Sequence, residues 1–163
     1  MKKKLAAISP CLQPSPNILV SCRDSSGRDN ALVVGYCCNC SYDPPMLMVG
    51  IVPSRFSYAM VKESGCFVVN LVGKDQRELF DYMGSHSGRD GDKLLATGAN
   101  VADADLINAP ILSDCPVNIE CEVVDSIKTG SHEMFAAKIV RIHADATVVK
   151  SDDSLDTGLL DLI

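Results

Sequence analysis

Two short stretches of this chain set hydroxyl groups beside positive charge. Pro53-Ser54-Arg55-Phe56-Ser57-Tyr58 follows an apolar run, and Ser87-Gly88-Arg89-Asp90 leads to Lys93 about one helical turn later. In a chain with 15 basic residues against 21 acidic ones and a net charge of −6, such local concentrations of cations need a reason. A guanidinium presents a planar fork that matches a phosphate, and the free amides of a helix N-terminus add partial positive charge. The chemistry on offer is the holding of a phosphate. Each stretch also reads as an ordinary helix start. Ser54 or Ser57 would cap the first, and Ser87 would cap the second with Asp90 as the acid of a capping box.

Sulfur and imidazole supply the other candidates. Cys37, Cys38 and Cys40 are the one cluster among eight cysteines. Zinc sites usually present two ligand pairs, and neither Cys115 with Cys121 nor His86, His132 and His143 completes a second, so no metal is expected. On a strand Cys38 and Cys40 would share one face and Cys37 take the other. Free cysteines in a chain of this kind read as reduced thiols, most of them small core hydrophobes. His132 follows Gly130-Ser131 in a turn, while His86 and His143 read as a loop residue and a strand-end residue.

The elements that must position these groups follow from hydrophobic period. Residues 17–23, 31–36 and 46–52 read as three strands of a meander, with a chain break at Asp43-Pro44-Pro45, because prolines cannot serve a ladder. Residues 57–64, 75–83 and 90–97 suit helices, the first ending at Gly65. Residues 66–71 form a buried strand, and residues 118–125 and 133–143 are long strands joined by a turn at 128–131. Short connections between strands, with helices inserted, predict a mainly β fold of barrel type. No G-x-G-x-x-G follows a strand, and no P-loop occurs.

With 163 residues, 47% of them hydrophobic, the chain suits one domain spanning 1–163 with a short N-terminal extension over 1–13. The acidic balance argues against nucleic acid or an anionic membrane as partner. The basic start MKKKLAAISP has too short an apolar run for a secretory signal, and no stretch approaches the ~18 apolar residues of a membrane span, so a soluble, cytoplasmic protein is expected.

The order Asp-Pro-Pro, strand, Pro-Ser-Arg-x-Ser-Tyr and then Ser-Gly-Arg-Asp-x-Asp-Lys, at 43–45, 53–58 and 87–93, resembles the flavin reductase-like family, and within it the flavoredoxin branch. The likeness runs from about residue 14 to 143. It implies an FMN-binding split β-barrel, normally a homodimer with its flavin near the interface. By that resemblance Ser54, Arg55, Ser57 and Tyr58 contact the phosphate, with Ser87, Arg89 and Lys93 as a second group. Residues 31–36 and the turn through Cys37, Cys38, Asn39, Cys40 and Ser41 lie along the flavin ring. His132 stands in a turn where many relatives carry Gly-Asp-His, which makes it the catalytic candidate. The implied activity is transfer of electrons from a nicotinamide (NADH or NADPH) or a redox-protein donor, through FMN, to an acceptor. The alternative is a non-catalytic FMN electron carrier or a flavin-binding module.

Overall fold

The computed structural model describes residues 3–163, of which 3–17 form no helix or strand. The chain then enters β1 (Ile18–Arg23) and β2 (Asp29–Val34), an antiparallel hairpin that pairs Ile18 with Val34 and Arg23 with Asp29. Its turn is tied by Asp24, whose carboxylate accepts from the amides of Ser26 and Arg28, while Gly27 takes a φ of +85° that a side chain would resist. β3 (Cys37–Tyr42) and β4 (Pro45–Ile51) form a second hairpin, turning at Asp43-Pro44. After α1 (Phe56–Ser64) and β5 (Cys66–Leu71), a 3₁₀ turn at Lys74–Gln76 leads into α2 (Arg77–Ser85) and α3 (Lys93–Thr97). β6 (Val101–Asp103) and β7 (Pro110–Leu112) make a small separate ribbon, and β8 (Val117–Thr129) with β9 (His132–Ala144) a long hairpin.

Seven strands form one antiparallel sheet in the order β2-β1-β5-β8-β9-β4-β3. Its two edge strands, β2 and β3, are consecutive in the chain and linked only by Gly35 and Tyr36. Two residues span ~7 Å at most, so the sheet has to curl until its edges meet. A hydrogen bond from the Gly50 amide to the Tyr36 carbonyl, 2.8 Å, carries the β3–β4 ladder one residue into that link. The result is the mainly β barrel with helical insertions that the strand pattern predicts.

The interior is filled from alternate positions. Ile18, Val20 and Cys22 point inward with Val49, Phe67 and Phe135, and α1 drops Met60 and Val61 into the same cluster. The opposite faces are covered too, since Leu19 and Ala31 pack beneath Met83 of α2 and Leu94 of α3. Burial on both sides is why the sequences of β1 and β5 are nearly unbroken apolar runs. Asn70, fully buried in β5, makes this layer polar at one point. Its amide donates to Ser21 Oγ at 2.9 Å and its carbonyl oxygen accepts from the Leu112 amide and Asn118 Nδ2, so three neighbouring segments share one satisfied side chain.

Three expectations are corrected. The strands at 17–23, 31–36 and 46–52 are not a meander, because β4 lies between β3 and β9 and β2 is an edge. Cys37, Cys38, Asn39, Cys40 and Ser41 form an edge strand instead of a turn. They alternate poorly because nothing covers their outer face, and the pairing with β4 is bulged between Asn39 and Ser41. The third helix starts at Lys93, three residues later than expected, since Asp92 caps it by accepting from the Leu95 amide at 3.0 Å while residues 87–91 remain a turn. Among the described residues, no helix is long and apolar enough to cross a membrane.

Candidate functional site

The edge of β2, the start of α1, the end of α2 and the turn before α3 enclose a cavity of about 380 Å³. Ser54, Arg55 and Ser57 enter it from the α1 side, and Ser87, Arg89 and Lys93 from the other. The two stretches that sequence spacing singled out are therefore walls of one chamber. A second cavity of about 340 Å³, lined by Leu32–Tyr36, Gly50, Ile51, Val52 and His132, adjoins it through Leu32, Val33 and Arg55.

α1 begins at an extended Arg55 with no side chain capping its first turn, so the expected serine cap is absent and its leading amides stay open toward the chamber. Neither Arg55 nor Arg89 forms an ion pair among the described residues. Arg89 leans on Phe56, its guanidinium carbon 5.9 Å from the ring centroid, and Arg28 covers the same ring at 4.6 Å. Arg28 also donates to the carbonyl of Gly88, clamping the turn in place. Only glycine fits there: a Cβ on Gly88 would come within 2.4 Å of the Phe56 ring and 2.8 Å of Asn30 Oδ1.

Lys93 is the most constrained cation. It is only 5% exposed, and its ammonium donates to the Met83 carbonyl at 3.0 Å with no carboxylate partner among the described residues. Burial, with a contribution from the charge of Arg55, pushes its pKa down to about 8. An ammonium so placed favours an anion beside it.

The remaining candidates fall outside the first chamber. His132 borders the second cavity, its ring edge-on to Tyr36 at 4.7 Å and its Nδ1 2.9 Å from Ser131 Oγ. Tyr58 lines neither cavity. Its hydroxyl donates to Glu133 Oε2 at 2.5 Å and its ring tilts against Phe135. None of Cys37, Cys38, Asn39, Cys40 and Ser41 lines either cavity. Cys37 packs against the barrel interior, where burial pushes its thiol up to about 12, and Cys38 and Cys40 are exposed on the outer edge. The strand preceding them does the lining, and β2 carries no strand on that side, so alternate main-chain donors and acceptors face the cavities.

Sequence reasoning missed Asn30, Gly84, Ser85 and His86, all bordering the first chamber. His86 stacks on Tyr82 with centroids 3.8 Å apart. His143 is not a simple strand-end residue either. Its Nε2 lies 2.5 Å from Glu120 Oε1, and that fully buried carboxylate also accepts the amides of Asp105 and Leu106.

A cationic, donor-rich chamber opening into an apolar slot is the arrangement that a molecule with a phosphate at one end and a flat ring at the other would need. The NADH:riboflavin 5'-phosphate oxidoreductase of Streptomyces pristinaespiralis is 28% identical over 128 residues, which cover 78% of this chain and 70% of that protein. An uncharacterized protein of Aeropyrum pernix is 28% identical over 141 residues, 85% of this chain, and the chain spans about half of its length, 53%. The flavoredoxin from Methanosarcina acetivorans superposes with a TM-score of 0.91 at 25% identity, over 99% of this chain and 85% of that one. Residues 12–157 match the flavin reductase like domain, and with that match over most of its length the chain belongs to the flavin reductase-like family.

Proposed function

We propose that this protein is an FMN-dependent oxidoreductase of the flavin reductase type, taking electrons from a nicotinamide or a redox protein and passing them to an acceptor. The observation that carries the reading is the convergence of Arg55, Arg89 and Lys93, three cations without ion-pair partners among the described residues, next to an apolar slot. The donor set suits FMN. A phosphate dianion asks for fixed positive charge and hydroxyls, and the close approach of the Gly88 turn to Phe56 shapes a tight rim around them. The named activity of the Streptomyces pristinaespiralis relative points the same way.

When bound, FMN supplies a ring that accepts a pair of electrons and releases them singly or together. The chain does the rest. Arg55, with Ser54, Ser57 and the open α1 amides, neutralises and orients the phosphate. Leu32, Val33, Val34 and Ile51 exclude water along the slot, and the unpaired edge of β2 offers main-chain donors to polar atoms at the ring margin. Ser131 occupies Nδ1 of His132, which leaves Nε2 to orient an incoming donor.

An electron-carrier role is the second reading. The likeness to a flavoredoxin and a net charge of −6, suited to docking on a basic redox partner, favour it. One series of measurements separates the readings. The purified protein should be yellow or take up FMN stoichiometrically. Stopped-flow mixing with NADH or NADPH should bleach it rapidly if it is a reductase, whereas bleaching only by a reduced redox protein would mark a carrier. His132→Ala should slow bleaching with little change in FMN affinity. A colourless protein unable to bind FMN would overturn both readings.

A further inference from the structure

Ser57 is 1% exposed and Asn30 3%, yet both border the cationic chamber. They meet there, Asn30 Nδ2 donating to Ser57 Oγ at 2.6 Å. A serine hydroxyl has one hydrogen and two lone pairs. Because Asn30 takes a lone pair, the hydrogen remains available to an acceptor in the chamber that Ser57 borders. The other polar neighbour of this hydroxyl is the buried thiol of Cys22, a weak acceptor beside which a phosphate oxygen competes easily. The partnership joins two elements distant in sequence, β2 and the first turn of α1, so its geometry is set by how the helix seats on the strand edge. The Gly88 turn presses on the other side of the same amide, where its Oδ1 lies against the glycine, and fixes the side chain between turn and helix.

We infer that Asn30 is a positioning residue for anion recognition: by donating to Ser57 Oγ it holds that hydroxyl as a donor aimed at the phosphate. The inference rests on the reading of the chamber as an FMN phosphate site, and it adds a residue that neither motif contains. A hydroxyl free to rotate, or turned to donate elsewhere, would present a lone pair to the phosphate for part of the time and lose the charge-assisted contact. Asparagine at this point thus acts on the mononucleotide through serine, without itself touching it.

The test compares FMN with riboflavin, which lacks the phosphate, by fluorescence titration of wild type, Asn30→Ala, Ser57→Ala and the double variant. Asn30→Ala is expected to weaken FMN by about tenfold or more, the range of one charge-assisted hydrogen bond, with riboflavin nearly unchanged. The double variant should lose little beyond Ser57→Ala alone, because the two residues act as one unit. Asn30→Asp keeps the shape but can only accept from the hydroxyl. It should lose FMN at least as strongly while still binding riboflavin, which shows that the fold survives. Equal losses for both ligands, or additive losses in the double variant, would overturn the role of Asn30. A wild type that fails to prefer FMN over riboflavin would instead overturn the phosphate reading on which the inference stands.

Discussion

Lys93 sits where its protonation reports on what occupies the chamber. Buried, and near Arg55, it loses its proton at about pH 8 in the free protein. A phosphate dianion alongside would restore an ordinary ammonium, so FMN binding above that pH has to be accompanied by proton uptake. FMN affinity should be flat near pH 7 and fall by up to about tenfold per pH unit above pH 8. Lys93→Met should bind FMN more weakly and without this slope, and riboflavin binding should be flat in both. His86, Arg55, Arg89 and Asp90 face the same space. Isothermal titration in buffers of different ionisation enthalpy reads the proton directly. The cations of this site were legible in the sequence, since Arg55 and Lys93 stand at helix starts and Arg89 in the turn before one, in an acidic chain. Asn30 was not, because its role depends on which helix seats against β2, and a single asparagine inside an apolar strand gives no periodic signal.

Between α1 and β9 a small polar strut fixes the helix that carries Arg55. Glu133, buried on β9, accepts from Tyr58, from Ser126 at 2.7 Å and from Lys62 at 3.0 Å. These contacts hold its pKa down to about 2, against an ordinary 4.5. A carboxylate depressed in the folded state contributes stability that is complete above its unfolded pKa and is lost as the pH falls toward the folded one. Urea midpoints should therefore drop between pH 4.5 and 2, and Glu133→Gln should flatten that dependence while lowering the plateau at neutral pH. A steep, unchanged acid limb in Glu133→Gln would place the titrating group elsewhere. Glu120 is a second candidate, since its carboxylate, also lowered, anchors the β6–β7 connection through the Asp105 and Leu106 amides. At this scale the sequence was readable wherever both faces of a strand are buried, as in β1 and β5, and wherever a glycine ends a helix, as at Gly65. It was unreadable at β3 and at β6 and β7, whose residues are largely exposed or too few to show a period.

For the whole molecule we expect a homodimer. Past the end of its pairing with β5, β8 leaves Val124 and Ile127 exposed, and Tyr42 at the end of β3 is uncovered entirely. Large apolar side chains left in water on a strand edge suit contact with a second copy. Sedimentation at micromolar protein should give twice the chain mass, and Ile127→Asp should shift it toward the monomer. A monomer that holds FMN fully would remove any interface role for the cofactor.

The link of Gly35 and Tyr36 between the two edge strands has a kinetic side. A barrel hydrogen-bonded all the way round could admit a ring only by unzipping a ladder, which would tie ligand entry to partial unfolding. Here the chain leaves one line of its cylinder largely unlaced and sets both cavities along it. A guest entering from that side would leave every strand with its neighbours. Exchange of cofactor can then run at the pace of diffusion and local side-chain motion, decoupled from the global stability that the core provides.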